Sequence, residues 1–371
     1  MVGQILSRRG LILVCLTFVA ILLIFSTRSK RIVREASQAS FSAPPPLPEF
    51  DYTEKDRESL QYVPPDVVRA WRERNFLVML GVLSPDNAVR RRRRHLQRLT
   101  CWQYQGVARR SNNFTGDLLV TFVLARHPDH NYTHSPQLVE EGLRWQDIIA
   151  LPIKEGRVST NKVIGQDGRY WGPDAEIGMS RKMYKWFSLM LRLLPNVNYV
   201  AKSDDDMFVH TPQYLADLRA LPRRRLYWGN IVNARFMPLL FATGGLYTAS
   251  REVIEQFLTY EPLKKLVDVP YSKEREDEFT SLYMQHEDLL MGRVLYEMGY
   301  QPLFVGEPMC RFHNLHGKGW VGPLSHSSLM IHNVKEEEYA QLREYFGEKK
   351  QYRPSRFKVR RGRLYATCGK R

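Results

Sequence analysis

Three consecutive carboxylates, Asp204-Asp205-Asp206, sit between apolar residues that read as a buried strand. Tyr199, Val200 and Ala201 lead in, and Met207, Phe208 and Val209 lead out. Ionised carboxylates leave water at high cost unless a cation meets them, and an all-oxygen set suits a hard divalent ion, Mn²⁺ or Mg²⁺. Such an ion would hold a phosphorylated substrate. An acidic surface turn is the usual meaning of an Asp triplet, and the apolar flanks argue against it here. A second acidic pair lies in His286-Glu287-Asp288, ahead of Leu289, Leu290, Val294, Leu295 and Met298, a helical stripe that runs out at Gly299. The helix macrodipole favours acids at a helix N-terminus, so capping and catalysis both fit this pair. Between the two acidic sites, Ala242-Thr243-Gly244-Gly245 follows 236–241. Paired glycines let a backbone approach a ligand closely, and they equally make a simple turn.

The elements that must carry these residues alternate between strand and helix. The apolar run 76–83 ends in Ser84-Pro85, and Asn87 onward reads as a helix start. A second β-rich run covers 117–125 and a third candidate 145–150. Met183, Trp186, Phe187, Met190 and Leu194 pattern an amphipathic helix over 179–194, closed by Pro195. Residues 198–203 then deliver a strand whose C-terminal end holds the Asp triplet. Strands separated by helices predict an α/β domain with a largely parallel central sheet, which binds ligands beyond the carboxyl ends of its strands.

The rest of the chain speaks to compartment. Residues 11–25 are almost continuously apolar between Arg8-Arg9 and the cluster Arg28, Lys30, Arg31 and Arg34; with Ser26 and Thr27 the stretch reaches 17 residues, the short end for a membrane span. No A-x-A-like site directly follows Phe25, so an uncleaved signal anchor is expected. The basic flanks favour the opposite topology under the positive-inside rule. The glycosylation acceptors Asn113-Phe114-Thr115 and Asn131-Tyr132-Thr133 argue for a lumenal body. Residues 35–65 are rich in Ser, Pro, Glu and Gln and read as a tether. The expected layout is a cytoplasmic tail at 1–10, a membrane helix at 11–27, a stem at 28–74 and a lumenal domain at 75–371. Cys15 falls in the anchor, and Cys101, Cys310 and Cys368 allow at most one disulfide and one spare thiol. The net charge is +16, with arginine runs at 90–94 and 223–225. No nucleic-acid-binding motif accompanies that charge, and a membrane anchor excludes such a partner; most of these arginines read as a solvated helix face.

Taken in order, the motifs resemble the inverting β-1,3-glycosyltransferase family of β-1,3-galactosyltransferases, β-1,3-N-acetylglucosaminyltransferases and Fringe proteins. Ser84-Pro85 followed by Arg93, Arg94, Arg98, Thr100 and Trp102 matches the family's opening strand and helix, with Cys101 as an extra residue; Arg93, Arg94 and Arg98 fit either a donor-nucleotide contact or a solvated helix face. Lys182 falls where the family has the lysine of its Leu-Thr-Leu-Lys-Thr helix. The 199–209 stretch resembles the metal-site strand, 244–250 the glycine loop, Glu287-Asp288-Leu289-Leu290-Met291-Gly292 the Glu-Asp-Val-x-x-Gly motif, and His332 the late metal-site histidine. The likeness covers roughly 75–335. Leu151-Pro152 departs from an Asp-Phe pair, and 154–178 looks like an insertion rich in Gly and charge, as in a diverged branch such as the kinetoplastid members.

The resemblance implies a GT-A-type, Rossmann-like fold and a Golgi type II membrane enzyme. It would move galactose or N-acetylglucosamine from a UDP-sugar to a glycan hydroxyl on a glycoprotein, glycolipid or GPI anchor, forming a β linkage. It implies Asp206 and His332 as ligands of Mn²⁺ or Mg²⁺, Asp204, Asp205, Lys182, Gly244 and Gly245 as donor-binding residues, and Asp288 as general base. The alternative is a sugar-binding protein that kept the fold without turnover.

Overall fold

The computed structural model describes residues 50–162, 170–234, 237–317, 321–348, 351–360 and 362–368. The expected tail, anchor and stem up to residue 49 lie outside them. Among the described residues, no helix is long and apolar enough to cross a membrane.

The strands are β1 (Val78–Leu83), β2 (Val107–Ala108), β3 (Leu118–Arg126), β4 (Ile148–Lys154), β5 (Tyr199–Asp204), β6 (Phe208–Val209), β7 (Leu226–Asn233), β8 (Leu240–Ser250), β9 (Leu303–Gly306), β10 (Phe312–Asn314), β11 (Met330–His332), β12 (Phe357–Arg360) and β13 (Arg363–Ala366). Every residue of β1 is buried, as an unbroken apolar run requires when both faces of a strand are covered. β1 pairs in parallel with β3 and β5, and β3 in parallel with β2 and β4. The sheet is mixed, because β8 runs antiparallel between β5 and β7. Parallel pairing resumes from β7 to β9 and from β9 to β13, and the β12–β13 hairpin closes that edge. The helix Pro173–Leu193 packs Met183, Trp186, Phe187 and Met190 into one core cluster, where Leu290, Val294 and Leu295 of the helix Glu287–Glu297 join them. Tyr214 and Leu218 of the helix Thr211–Ala220 and Tyr339 and Leu342 of the helix Glu338–Phe346 build the other.

Two registers position the site. Leu83 pairs with Asp204, so β1 and β5 end level and Ser84 meets the Asp triplet. A second, small sheet orders β10-β11-β6, with Asn314 opposite His332 and Ile331 opposite Phe208. It carries the late histidine back to the segment that immediately follows Asp206.

The sequence expectations need four amendments. The helix expected from 179 begins at Pro173, inside the supposed insertion. The expected strand 145–150 is β4, Ile148–Lys154, because a helix, Pro136–Trp145, occupies the residues before it. Gly244 and Gly245 lie within β8 and form no loop. Residues 50–74, expected at the end of a tether, pack as helices Glu54–Ser59 and Pro65–Glu73. Pro65 takes the first helical position, where its missing N–H costs nothing, and Val67, Val68 and Trp71 fall on one face that enters the core.

Cys310 pairs with Cys368 across a sequence separation of 58, tying down the chain's last described residues, while Cys101 is a buried free thiol. The insertion is also ordered where it is described. Ser159 N–H donates to the Trp171 carbonyl (2.9 Å), Thr160 Oγ1 to the Tyr170 carbonyl (2.8 Å), and Arg157 N–H to Asp174 (2.8 Å). Gly156 lies so close to the helix start that a Cβ there would stand 1.9 Å from the Asp174 carbonyl oxygen, and Gly172 has a φ of +108°. The glycines of this stretch therefore fold it against the domain.

Trp71 is fully buried, so Trp71→Ala should cost about 3–5 kcal/mol in urea denaturation, the range for deleting a large core aromatic. An unchanged midpoint would return residues 50–74 to the stem.

Candidate metal centre and active cleft

A cleft of about 1060 Å³ opens beyond the carboxyl ends of β1, β4 and β5, where Leu83, Glu155 and Asp204 face it. One carboxylate oxygen each from Asp204 and Asp206 and a ring nitrogen of His332 lie within 4.8 Å of one another. His332 Nδ1 donates to Asn314 Oδ1 (2.8 Å), which turns Nε2 toward Asp206 Oδ1 at 3.2 Å. This is how a metal-binding imidazole is commonly held, with its second nitrogen fixed by an outer hydrogen bond. Burial works against charge on both groups. Their mutual attraction outweighs it, raising the His332 pKa and lowering that of Asp206. Two carboxylates and one oriented imidazole fit a divalent ion whose preferences include both oxygen and nitrogen, Mn²⁺ more readily than Mg²⁺.

The three members of the triplet have different surroundings. Asp205 points into the protein, where it accepts from Ser84 Oγ (2.6 Å) and pairs with Arg90. Its burial raises its pKa against the pull of Arg90. Asp204 is paired with Lys202 Nζ at 2.7 Å. Lys202 is buried on β5 and also reaches Glu287 (2.6 Å) and the Gly244 carbonyl (2.8 Å). Burial would discharge its ammonium, and the Asp204 and Glu287 carboxylates hold it charged well above its ordinary pKa.

Glu287 and Asp288 begin their helix, as the sequence implies, and differ in environment. Glu287 is buried, with one oxygen on Lys202 and the other accepting from Tyr247 OH (2.8 Å). Burial pushes its pKa up to about 7 despite Lys202, since Asp288 and Asp204 are like charges beside it. Asp288 is only half-buried and faces the cleft. Its Oδ1 accepts from Leu289 N–H (2.8 Å) and its Oδ2 from Gly244 N–H (3.1 Å). Burial raises its pKa as well. A Cβ added to Gly244 would meet Lys202 and Asp288 only at ordinary contact distances, 3.5 and 3.7 Å. Lys182 is buried at the cleft wall, paired with Glu155 (2.5 Å) and 3.4 Å from the Ser84 carbonyl.

Several residues of the site escaped the sequence reading. Arg93, Arg94 and Arg98, for which the sequence left open a donor-nucleotide contact or a solvated helix face, are buried, as is Glu141, which bridges Arg94 (2.6 Å) and Arg98 (2.7 Å); Arg98 also pairs with Asp147 (2.7 Å). Arg94 Nη1 also donates to Ser84 Oγ (2.8 Å), which in turn holds Asp205. Arg92 and the run 223–225 are exposed, as expected. Nothing in the composition reveals partners that are distant in sequence. Lys202, by contrast, had a visible signal, a lone cation inside an otherwise apolar strand. From the insertion, Glu155, Lys162, Trp171 and Glu176 line the same cleft.

Replacing Lys202 by Met would strand Glu287 and Asp204 without their counter-charge, at a cost of about 3–5 kcal/mol. Glu287 would then favour its protonated form in the fold. Stability it contributes below its unfolded pKa is lost as pH rises through its folded pKa, so the deficit should grow from pH 6 to pH 8. A Lys202→Met deficit that is small or independent of pH in urea denaturation would show that the ammonium does not hold this cluster.

No family model matches the chain. The lactosylceramide 1,3-N-acetyl-beta-D-glucosaminyltransferase of Xenopus tropicalis is 25% identical over 252 residues, 64% of this chain and 59% of that protein. Its Xenopus laevis counterpart, form B, is 24% identical over 265 residues, with the same shares. Human UDP-GlcNAc:betaGal beta-1,3-N-acetylglucosaminyltransferase 8 is 29% identical over 116 residues, 29% of each chain. The chain thus spans 59% of the length of the two frog relatives it matches. Among solved structures, mouse xyloside xylosyltransferase 1 aligns with 79% of this chain and 97% of its own at 7% identity and a TM-score of 0.33, too low a likeness to bear on the site. The sequence relatives are, by name, 1,3-N-acetylglucosaminyltransferases, which agrees with the resemblance that the motifs carry.

Proposed function

We propose that this protein is a metal-dependent inverting glycosyltransferase of GT-A type. The observation that carries the reading is the convergence of Asp204, Asp206 and His332 with Asp288 in one cleft at the carboxyl ends of the sheet. The donor is a UDP-sugar. The names of the sequence relatives support N-acetylglucosamine over galactose and a β-1,3 linkage. The acceptor is a hydroxyl of a glycan on a glycoprotein or glycolipid.

The residues divide the work. Asp204, Asp206 and His332 hold the divalent ion, and Asn314 keeps His332 turned toward it. When bound, the ion neutralises the diphosphate, so that the leaving group departs without needing a proton. Asp205 braces the triplet from behind through Ser84 and Arg90. Lys182, Gly244 and Gly245 line the donor's path. Asp288 takes the proton of the acceptor hydroxyl as that oxygen attacks the anomeric carbon. Its two backbone hydrogen bonds fix its orientation, and each oxygen keeps a lone pair for the incoming proton. Burial raises its pKa and so strengthens it as a base. Glu287 serves this role less well, since Lys202 and Tyr247 occupy both its oxygens. One in-line displacement inverts the centre, so an α-linked donor gives a β-linked product.

We also assign the protein to the Golgi membrane as a single-pass type II protein anchored through 11–27. Asn113 and Asn131 support this, being exposed in left-handed turns with φ of 51° and 50°, where an oligosaccharide has room. The Cys310–Cys368 disulfide suits an oxidising compartment.

UDP release from UDP-N-acetylglucosamine with Mn²⁺ and a galactose-terminated acceptor tests the chemistry. Asp288→Asn keeps the side chain's shape and should lower kcat by roughly 10²-fold to 10⁴-fold with donor affinity nearly unchanged. Near-parental turnover in the folded variant would remove Asp288 as base, and donor binding without any turnover in the parent would leave a sugar-binding protein. For topology, glycosidase treatment of protein from secretory cells should shift its mobility, and Asn113→Gln with Asn131→Gln should abolish the shift. A chain without glycan and open to protease from the cytosolic side would overturn the assignment.

A further inference from the structure

We infer that Lys162, braced on Trp171, is a diphosphate-binding residue supplied by the inserted segment. The inference rests on the donor proposed above and extends it to residues outside the family's motifs.

The argument begins with charge. Two carboxylates and a neutral imidazole around a divalent ion leave it no net positive charge, whereas the diphosphate of a nucleotide donor brings at least two negative ones, and more as it leaves. Further cations must face it. Five lysines and arginines line the cleft, namely Arg90, Arg93, Lys162, Lys182 and Lys202. Three are paired with carboxylates, Arg90 with Asp205, Lys182 with Glu155, and Lys202 with Asp204 and Glu287, and buried Arg93 donates through Nη1 to the Val334 carbonyl at 2.6 Å. Lys162 alone among them has no carboxylate or carbonyl on its ammonium from any described residue. Its ammonium lies 4.6 Å from the centroid of the Trp171 ring, and the Arg90 guanidinium lies 5.5 Å from the same centroid.

An aromatic face attracts an ammonium while leaving its N–H donors available, which makes it a suitable rest for a cation that must receive an anion. Trp171 is itself fixed, because its backbone N–H donates to Glu176 (2.9 Å) and its carbonyl accepts from Ser159 N–H (2.9 Å). Glu176 relates the pair to the metal centre. Its carboxylate, which fixes Trp171, lines the same cleft as Lys162 and Asp204. The close backbone approaches at Gly156 and Gly172 hold the segment where this can happen.

Calorimetry of UDP and of uridine, each with saturating MnCl₂, tests this on the detergent-solubilised full chain. Uridine shares the base and ribose and lacks the phosphates. Lys162→Ala should weaken UDP binding by roughly 10-fold or more, the scale of one charge-assisted hydrogen bond, and leave uridine binding unchanged. Lys162→Arg should recover most of the UDP affinity, and Trp171→Ala should show the same UDP-selective loss as Lys162→Ala. Parental UDP affinity in Lys162→Ala, or an equal loss for uridine, would overturn the inference while the glycosyltransferase reading stands. A parent protein that fails to bind UDP with Mn²⁺ would overturn both.

Discussion

The buried ammonium of Lys202 is the interaction on which the rest of this site depends. Asp204, Asp205, Asp206, Glu287 and Asp288 line one cleft together with Asp129, Glu155 and Glu176, and like charges at such density would drive the segments apart. Lys202 joins the end of β5, the start of the 287–297 helix and the backbone of β8 through Asp204, Glu287 and the Gly244 carbonyl. Those are the elements that carry the metal triplet, the base and the glycine pair. A buried pair of this kind adds little net stability, because desolvation offsets attraction. What it adds is position, since this arrangement of the three elements satisfies the ammonium and its acids together.

The same logic extends outward. Glu141 holds Arg94 in a bidentate pair, Arg94 donates to Ser84, and Ser84 donates to Asp205. A chain of charge-assisted hydrogen bonds thus runs from the 136–145 helix to the middle carboxylate of the triplet. With Asp205 held from behind, Asp204 and Asp206 on either side are free to face the cleft with His332. The strand ends at Asp204, and the turn at Asp205-Asp206 that follows sends Asp205 inward and returns Asp206 to the cleft.

Much of this was legible in the chain. The apolar residues flanking Asp204-Asp205-Asp206 marked a strand end, and the stripe Leu290, Val294, Leu295 after Glu287-Asp288 marked a helix start; both stand where expected. What could not be read depends on partners remote in sequence. The arginine run gave no sign that Arg94 and Arg98 would meet Glu141, so a buried network looked like a solvated face. Pro64-Pro65 looked like a tether, since the destination of Trp71 is set by a core assembled from elsewhere in the chain. Gly244-Gly245 looked like a turn, because strand residues lose their local signal when they lack side chains. Cys101, Cys310 and Cys368 left their pairing open until the fold set Cys310 beside Cys368. The insertion carried no periodicity, and only its contacts place Lys162 and Trp171 at the cleft.

The central claim is that Asp204, Asp206 and His332 hold one divalent ion that the donor shares. Electron spin-echo spectroscopy of the purified protein with Mn²⁺ and UDP tests it most directly, since a directly bound imidazole nitrogen modulates the echo and ³¹P of a coordinated diphosphate gives a separate coupling. The expected result is one Mn²⁺ per chain with a single nitrogen coupling, lost in His332→Ala, and a phosphorus coupling that appears only with UDP. Mn²⁺ that binds without nitrogen coupling, or whose spectrum is indifferent to UDP, would contradict it.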